Sequence, residues 1–159
     1  MHPARRSFLK FATGSIGTLG ALTAIAAAGL AKTTQAAAVM WNKTAFESKA
    51  LADAIHTLGA SGASDSRDIV ITAPDIAENG AVVPVEITSR IANTQSIAII
   101  AEKNPFPLAA TMEFANGAEP YAYVRIKMGQ TANVRAIVKA DGKFFTAAKD
   151  VKITIGGCG

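Results

Sequence analysis

The chain has 159 residues, of which 16 are Lys or Arg and 12 are Asp or Glu, so its formal net charge is +4. It contains two histidines and one cysteine, Cys158, too few to assemble a zinc or haem site of the familiar multi-ligand spacings within the chain. We therefore expect no metal and no cofactor.

Residues 1–38 are predicted to be a twin-arginine signal peptide. Arg5 and Arg6 precede Phe8 and Leu9, and the stretch from 11 to 31 is uncharged, mildly apolar and rich in Gly, Ala, Ser and Thr. The alanines at 36–38 form an Ala-x-Ala-like cleavage site, which predicts a mature start near Val39 and a periplasmic protein. An uncleaved membrane anchor is the alternative, because the stretch is just long enough to span a bilayer. We expect cleavage and no stable membrane association.

Cleavage changes the electrostatics, because all four charges of the signal are positive. The mature 121 residues would carry 12 basic and 12 acidic side chains, with no basic run, which argues against binding to nucleic acid. They suit one domain with one core. Twin-arginine export carries folded proteins, often with cofactors or partners. With cofactor motifs lacking, a partner protein is the expected reason for this route.

The segment 39–60 is predicted to be helical. Thr44 and Glu47 have the spacing of a capping box, and Gly59 is placed to end the helix. An apolar face is predicted for Phe46, Leu51, Ile55 and Leu58. His56 lies off that face and is interpreted as an exposed helix residue, although a base–nucleophile pair with Cys158 is the functional alternative.

From residue 68 onward the pattern changes to short β segments separated by turns, with no further helix. Strands are predicted at 68–73, 82–89, 96–101, 108–114, 121–128, 132–140, 144–147 and 151–155. Asp141-Gly142 predicts a two-residue hairpin, and Asn79-Gly80 and Asn116-Gly117 predict further turns. Pro84 predicts an edge position or a bulge. The expected fold for 61–155 is an immunoglobulin-like β-sandwich with the N-terminal helix packed on it.

Two features of the surface are singled out. Phe106, within Pro105-Phe106-Pro107, is either an exposed contact for another protein or a plug over the sandwich edge. Residues 156–159 form a predicted flexible arm, because Gly156, Gly157 and Gly159 leave the Cys158 thiol unshielded. The arm would carry the sulfur about 10 Å beyond Ile155, although a frayed chain end is the alternative.

The chain resembles the SoxY family, the substrate-carrier subunits of the periplasmic thiosulfate-oxidising multienzyme system. The resemblance rests on the twin-arginine signal and on four segments, at 76–85, 103–109, 125–131 and 151–159. The tail is the most specific of these, although family members usually end with a further glycine.

The resemblance implies an immunoglobulin-like domain that pairs with a second small β protein, SoxZ, which lacks its own signal and is exported as a passenger. It further implies that a c-type cytochrome enzyme couples thiosulfate to Cys158. A sulfate thiohydrolase and a sulfur dehydrogenase would then process the adduct. The chain would therefore be a carrier and not an enzyme.

The residues of the tail also favour a carrier, since no base or helix N-terminus lies near Cys158 in sequence to activate the thiol. Two alternatives remain open. The first is an exported binding or chaperone module whose cysteine is incidental or forms an intermolecular disulfide. The second is a thiol peroxidase or oxidoreductase that acts alone. The lack of a second, resolving cysteine argues against the peroxidase.

Overall fold

A computed structural model of the chain describes residues 42–155. The predicted signal with Arg5 and Arg6, its cleavage site, and the arm residues Gly156, Gly157, Cys158 and Gly159 lie outside the described residues. Within that part of the chain, no helix is long and apolar enough to cross a membrane.

The helical segment is a pair of short helices, α1 (Lys43–Glu47) and α2 (Leu51–Thr57), where one helix was predicted. The predicted cap is also wrong, because Thr44 lies inside α1. Asn42 is the N-cap, and its side-chain oxygen accepts a hydrogen bond from the Ala45 amide at 3.1 Å. Asn and Thr are both good caps, so the sequence alone left a shift of two residues undecided.

The cap assignment makes a testable prediction. Asn42→Ala should lower the free energy of unfolding by about 1 kcal/mol, because the Ala45 amide loses its bond to the Asn42 side chain and keeps only its bond to the Asn42 carbonyl. Thr44→Ala is the matched control, since the Thr44 side chain is exposed and caps no helix, and its effect should stay within about 0.5 kcal/mol. Urea unfolding of the two variants measures both values. A larger loss of unfolding free energy in Thr44→Ala than in Asn42→Ala would instead support the predicted capping box.

Gly59 ends α2 as predicted. Its φ of +74° is a conformation that favours glycine, and two backbone bonds complete a Schellman motif. The Gly59 amide donates to the His56 carbonyl at 2.8 Å, and the Ala60 amide donates to the Ile55 carbonyl at 3.0 Å. The chain therefore turns sharply toward the first strand.

The remaining described residues form strands and connections, with no further helix among them. The strands are β1 (Ser64–Asp65), β2 (Ile69–Thr72), β3 (Ile76–Ala77), β4 (Val83–Ser89), β5 (Thr94–Ala101), β6 (Leu108–Glu113), β7 (Tyr121–Ile126), β8 (Ala132–Ala140) and β9 (Lys143–Ile153).

Six of the predicted strands are confirmed with shifts of at most two residues at their ends, and β8 has the predicted bounds. The two separate strands predicted at 144–147 and 151–155 are wrong. They are one strand, β9, because every residue of β8 from Ala132 to Ala140 finds a partner between Val151 and Lys143. The short strands β1 and β3 were not predicted.

The strands form two sheets, as expected for an immunoglobulin-like β-sandwich. The larger sheet has the order β1-β9-β8-β5-β6, and β3 also pairs with β9; the smaller sheet has the order β2-β4-β7. The main hydrophobic core lies between the sheets and includes Val85 and Ile87 from β4 and Ile97, Ile99 and Val138 from β5 and β8.

A second hydrophobic cluster lies on the outer face of the larger sheet, under the helix pair. Ala45 of α1 is fully buried there with Ile100 of β5 and Ile137 of β8, and Phe46 and Leu51 pack at its edge. Cover on both faces explains why residues 97–101 are apolar at every position and do not alternate. The expectation of a helical segment packed on the sandwich is therefore confirmed.

The predicted turns are also observed. Asp141 and Gly142 have φ of 48° and 73°, which gives the primed hairpin turn that joins β8 to β9. Asn116 and Gly117 have φ of 55° and 75°. Pro84 lies in β4, the central strand of the smaller sheet, yet β2 pairs only with residues 86–89 of that strand. Pro84 thus occupies a local edge, with no shift of register against β7.

Candidate functional site

The predicted attachment site, Cys158, and the arm glycines Gly156, Gly157 and Gly159 lie outside the described residues, so the structure gives the surface from which the arm departs. We define the arm end as the end of the sandwich formed by residues 75–82, 102–107, 127–131 and 153–155. The antiparallel pairings place these residues together. Ala101 of β5 pairs with Val134 near the start of β8, and Ala132 pairs with Val151 near the end of β9.

The last described residues are held on both sides by backbone hydrogen bonds. On one side the amides of Lys152 and Thr154 donate to the carbonyls of Asp75 and Ala77, at 3.0 and 3.2 Å. These bonds belong to the parallel pairing of β3 with β9. On the other side the Ile153 amide donates to Thr131 Oγ1 at 2.9 Å. The strand that leads into the arm is therefore fixed almost to its end.

Gly80 links the start of the arm to the rest of the arm end. Its amide donates to the Ile155 carbonyl at 2.9 Å, and its carbonyl accepts from the Met128 amide at 2.7 Å. The Met128 side chain is fully buried, so this connection rests on the core. Thr154 adds a side-chain bond to the Glu78 carbonyl at 3.1 Å. These hydrogen bonds therefore hold the chain as far as Ile155, the last described residue.

Asn104 joins the two outer loops of the arm end. Its side-chain nitrogen donates to the Lys127 carbonyl at 2.6 Å, and its side-chain oxygen accepts from the Gly129 amide at 3.1 Å. Gln130 adds a longer bond, 3.3 Å, to the Lys103 carbonyl. One amide side chain thus satisfies a donor and an acceptor of the neighbouring loop.

Removal of this link should loosen the arm end. Asn104→Ala is expected to cost about 1 to 2 kcal/mol of stability, because two hydrogen bonds are lost. It should also speed hydrogen exchange at the Gly129 amide. Gln130→Ala, which removes one longer bond, is the matched control and should change both quantities less. Unchanged exchange at Gly129 in Asn104→Ala would show that Asn104 does not hold this loop.

The sequence left open whether Phe106 is an exposed contact for another protein or a plug over the edge of the sandwich. The structure assigns these two roles to different residues, Phe106 and Pro107. Pro107 is fully buried, and its carbonyl accepts from the Ala101 amide at 2.8 Å. Phe106 is 49 % exposed. The plug over the edge of the sandwich is therefore Pro107, and the Phe106 ring is available for contact with another molecule.

Two ion pairs lie near the arm end. Lys149 Nζ lies 3.0 Å from Asp75 Oδ1 on the surface, a pair of the kind that contributes at most about 1 kcal/mol. Arg135 Nε lies 2.7 Å from Glu102 Oε1 in a less exposed pair, which Asn133 extends through its bond to Glu102 Oε2 at 3.1 Å. Among residues 42–155 no cluster of His, Cys, Asp or Glu could hold a metal ion.

His56 is exposed on α2, as interpreted from the sequence. The helix pair packs on the outer face of the larger sheet. The alternative pairing of His56 with Cys158 involves a residue outside the described range and stays untested.

A groove of about 590 Å³ runs between the helix pair and strands β5 and β6. Phe46, Ala98 and Ile137 form part of its lining, with Glu113 and Lys139 toward the end of the sandwich opposite the arm. Its lining residues carry no Cys or His, so it offers no nucleophile comparable with Cys158.

The sequence interpretation predicted a turn at Gly80 but assigned no role at the arm end to the residues that hold it, which are Asp75, Gly80, Asn104, Met128 and Thr131. A signal was present, because four of the five lie inside the segments at 76–85, 103–109 and 125–131 that carry the family resemblance. What the sequence could not show is that these segments meet around the start of the arm.

The comparisons with known proteins agree with that resemblance. The family model described as sulfur oxidation protein SoxY matches residues 55–158. The solved structure of the sulfur carrier protein SoxY from Chlorobium limicola f thiosulfatophilum is 37 % identical, with a TM-score of 0.60, and the match covers 66 % of this chain and 96 % of that chain.

A superoxide reductase (neelaredoxin) from Ignicoccus hospitalis is 19 % identical with a TM-score of 0.48, over 55 % of this chain and 80 % of that chain. No curated protein sequence matches.

Proposed function

This chain belongs to the SoxY family of sulfur oxidation proteins, and from that membership we propose that it carries sulfur intermediates covalently on Cys158. The observation that carries the proposal is the extent of the family match, which continues through the arm to residue 158. A fold likeness confined to the sandwich would not single out the cysteine.

The first step joins the Cys158 sulfur to the terminal sulfur of thiosulfate. A sulfur–sulfur bond forms, the thiol proton is released, and two electrons pass to a c-type cytochrome enzyme, which is the oxidant. Water then attacks the sulfonate group in a thiohydrolase, so the bond between the two sulfurs of the former thiosulfate breaks. Sulfate leaves and a persulfide remains on Cys158.

The second half of the cycle removes the remaining sulfur. A sulfur dehydrogenase, which is the oxidant, converts the persulfide anion to a sulfonate. Three water molecules supply the oxygen atoms, six protons are released, and six electrons pass to the dehydrogenase. Hydrolysis of this sulfonate releases a second sulfate and returns the thiol. Cys158 stays the point of attachment throughout, and the catalytic groups belong to the partner enzymes.

The structure of the arm end supports this division of labour. The hydrogen bonds of residues 152–155 fix the start of the arm, and the glycines beyond Ile155 leave no side chain to obstruct a narrow channel. A fixed attachment point followed by residues with small side chains suits a thiol that must enter several active sites in turn.

Export and partnership complete the proposal. The chain acts in the periplasm, to which Arg5 and Arg6 direct it, and it forms a heterodimer with SoxZ that crosses the membrane already folded. The neutral charge of the mature chain favours this protein partner over nucleic acid.

The direct experiment is conjugation in vitro. The mature protein, with SoxZ, is incubated with thiosulfate and the c-type cytochrome enzyme. The mass of the tryptic peptide that begins at Ile153 is then measured by mass spectrometry. We expect this peptide to gain two sulfur and three oxygen atoms, with two electrons delivered per adduct. An unchanged peptide, in the presence of active enzyme, would reject the proposal.

A further inference from the structure

The exposed apolar side chains of the described residues are concentrated at the arm end. Six large hydrophobic side chains are exposed, and four of them belong to this end: Ile76 (58 %), Val82 (51 %), Phe106 (49 %) and Ile155 (69 %). We call these four the apolar collar. The other two, Tyr121 and Tyr123, lie on β7. A concentration of apolar side chains on one surface is typical of an interaction site.

The length of the arm determines what must approach the collar. Cys158 is three residues beyond Ile155, and an extended residue spans about 3.3 to 3.6 Å, so the thiol reaches about 10 Å from the last described residue. A catalytic group in a recessed site can meet the thiol only if the walls of its channel come within that radius. The surface of the partner enzyme around its channel mouth must then contact the arm end.

The collar is held in place before any partner arrives. Ile76 lies in β3, which pairs with β9, and Val82 directly precedes β4 and follows the turn at Gly80. In the chain, Phe106 lies between Asn104, which bonds the neighbouring loop, and the buried Pro107. Contact with a fixed surface costs less conformational entropy than contact with mobile loops.

We infer that the apolar collar is the docking surface for the channel mouth of the enzyme that couples thiosulfate to the thiol, an inference that rests on the proposed function. The partner surface is an apolar rim around a narrow opening. The collar lies at the same end of the sandwich as the start of the arm, so its contact would align the arm with the channel as well as add affinity. The contact that docks the partner enzyme therefore also places the thiol in its channel.

The test replaces collar side chains by glutamine, which is polar and uncharged, and makes the same replacement at an equally exposed hydrophobic residue elsewhere. Val82→Gln and Phe106→Gln are made singly and together, and Tyr123→Gln, at a residue 52 % exposed on β7, is the matched control. All of these substitutions leave Cys158 and the arm unchanged. Thermal unfolding checks that each variant is folded.

Two rates are measured for each variant. One is kcat/KM for enzymatic conjugation of thiosulfate, and the other is the rate at which Cys158 reacts with a small aromatic disulfide that needs no docking. We expect the double variant to lose about tenfold or more in kcat/KM, each single variant to lose less, and Tyr123→Gln to lose little. The rate with the small reagent should be the same in all.

Three outcomes would overturn the inference. They are an unchanged kcat/KM in the folded double variant, an equal loss in Tyr123→Gln, and an equal fall in the rate with the small reagent. These differ from failure of the proposed function, in which the unsubstituted protein itself forms no adduct. That result would reject the carrier role and the docking surface together.

Discussion

Replacement of Cys158 by serine is expected to abolish the thiosulfate-dependent gain in mass and to stop thiosulfate-dependent respiration, while the fold is kept. A serine hydroxyl cannot form the sulfur–sulfur bond on which every later step depends. Serine differs from cysteine by a single atom, so we expect the sandwich to fold as before. The measurements are intact mass after incubation with the partner enzymes, thiosulfate-dependent oxygen uptake, and thermal unfolding.

A relocated thiol is the matched control. Ser61 is exposed in the loop that follows α2, so Ser61→Cys in the Cys158→Ser background supplies an accessible thiol without an arm. We expect no enzymatic adduct on the relocated thiol and no recovery of respiration. An adduct that survives Cys158→Ser, or activity restored by the relocated thiol, would show that the arm is not the carrier. Normal respiration in Cys158→Ser would favour the exported binding module.

Conservative replacement of the arginine pair, Arg5→Lys with Arg6→Lys, is expected to reduce periplasmic accumulation of this chain to background. In the proposed signal, the pair is the part that the twin-arginine pathway would read, and lysine keeps the charge but not the guanidinium geometry. Because SoxZ is proposed to be a passenger, it should disappear from the periplasm in the same cells. Fractionation followed by quantitative mass spectrometry measures both proteins.

Lys10→Gln is the control for the signal, because it removes a nearby charge and leaves the arginine pair intact. Export in this variant should stay close to that of the unsubstituted chain. If both proteins still reach the periplasm in the arginine variant, the chain does not depend on the twin-arginine pathway. If this chain is lost and SoxZ is not, the passenger relationship is wrong.

The sequence predicted the local parts of the fold well where the pattern and the pairing agree. The bounds of β8 follow from the alternation around Val134, Ala136 and Val138 and from the turn at Asp141-Gly142. The error in β9 has the opposite cause. Residues 148–150 are small or charged and do not resemble a strand, yet they pair with β8 because the hairpin turn fixes the register along the whole length.

Two other differences come from contacts that are distant in sequence or that no spacing rule decides. Ile76–Ala77 is too short to be recognised as a strand, and its partner in β9 lies 76 residues away. The start of the helical segment depended on which of two suitable caps, Asn42 or Thr44, meets a free amide. In both cases the deciding interaction is a hydrogen bond that no local pattern specifies.

The sequence made a prediction about the chemistry of the candidate site and none about its surroundings. A single thiol between glycines predicts that Cys158 is the reactive group, and this stays a prediction because the residue lies outside the described range. The anchor made by Gly80, Asn104 and Thr131 and the apolar collar depend on loops from four parts of the chain. Only the folded sandwich brings these loops to one end.

The measurement that tests the central claim most directly is the mass of the native protein from cells supplied with thiosulfate, recorded with and without a reductant. We predict a mature chain beginning near Val39 that carries sulfur-containing additions on the peptide from Ile153 onward, and we predict that the reductant removes those attached through a sulfur–sulfur bond. A native chain that carries no sulfur addition, or one located on another peptide, would contradict the account.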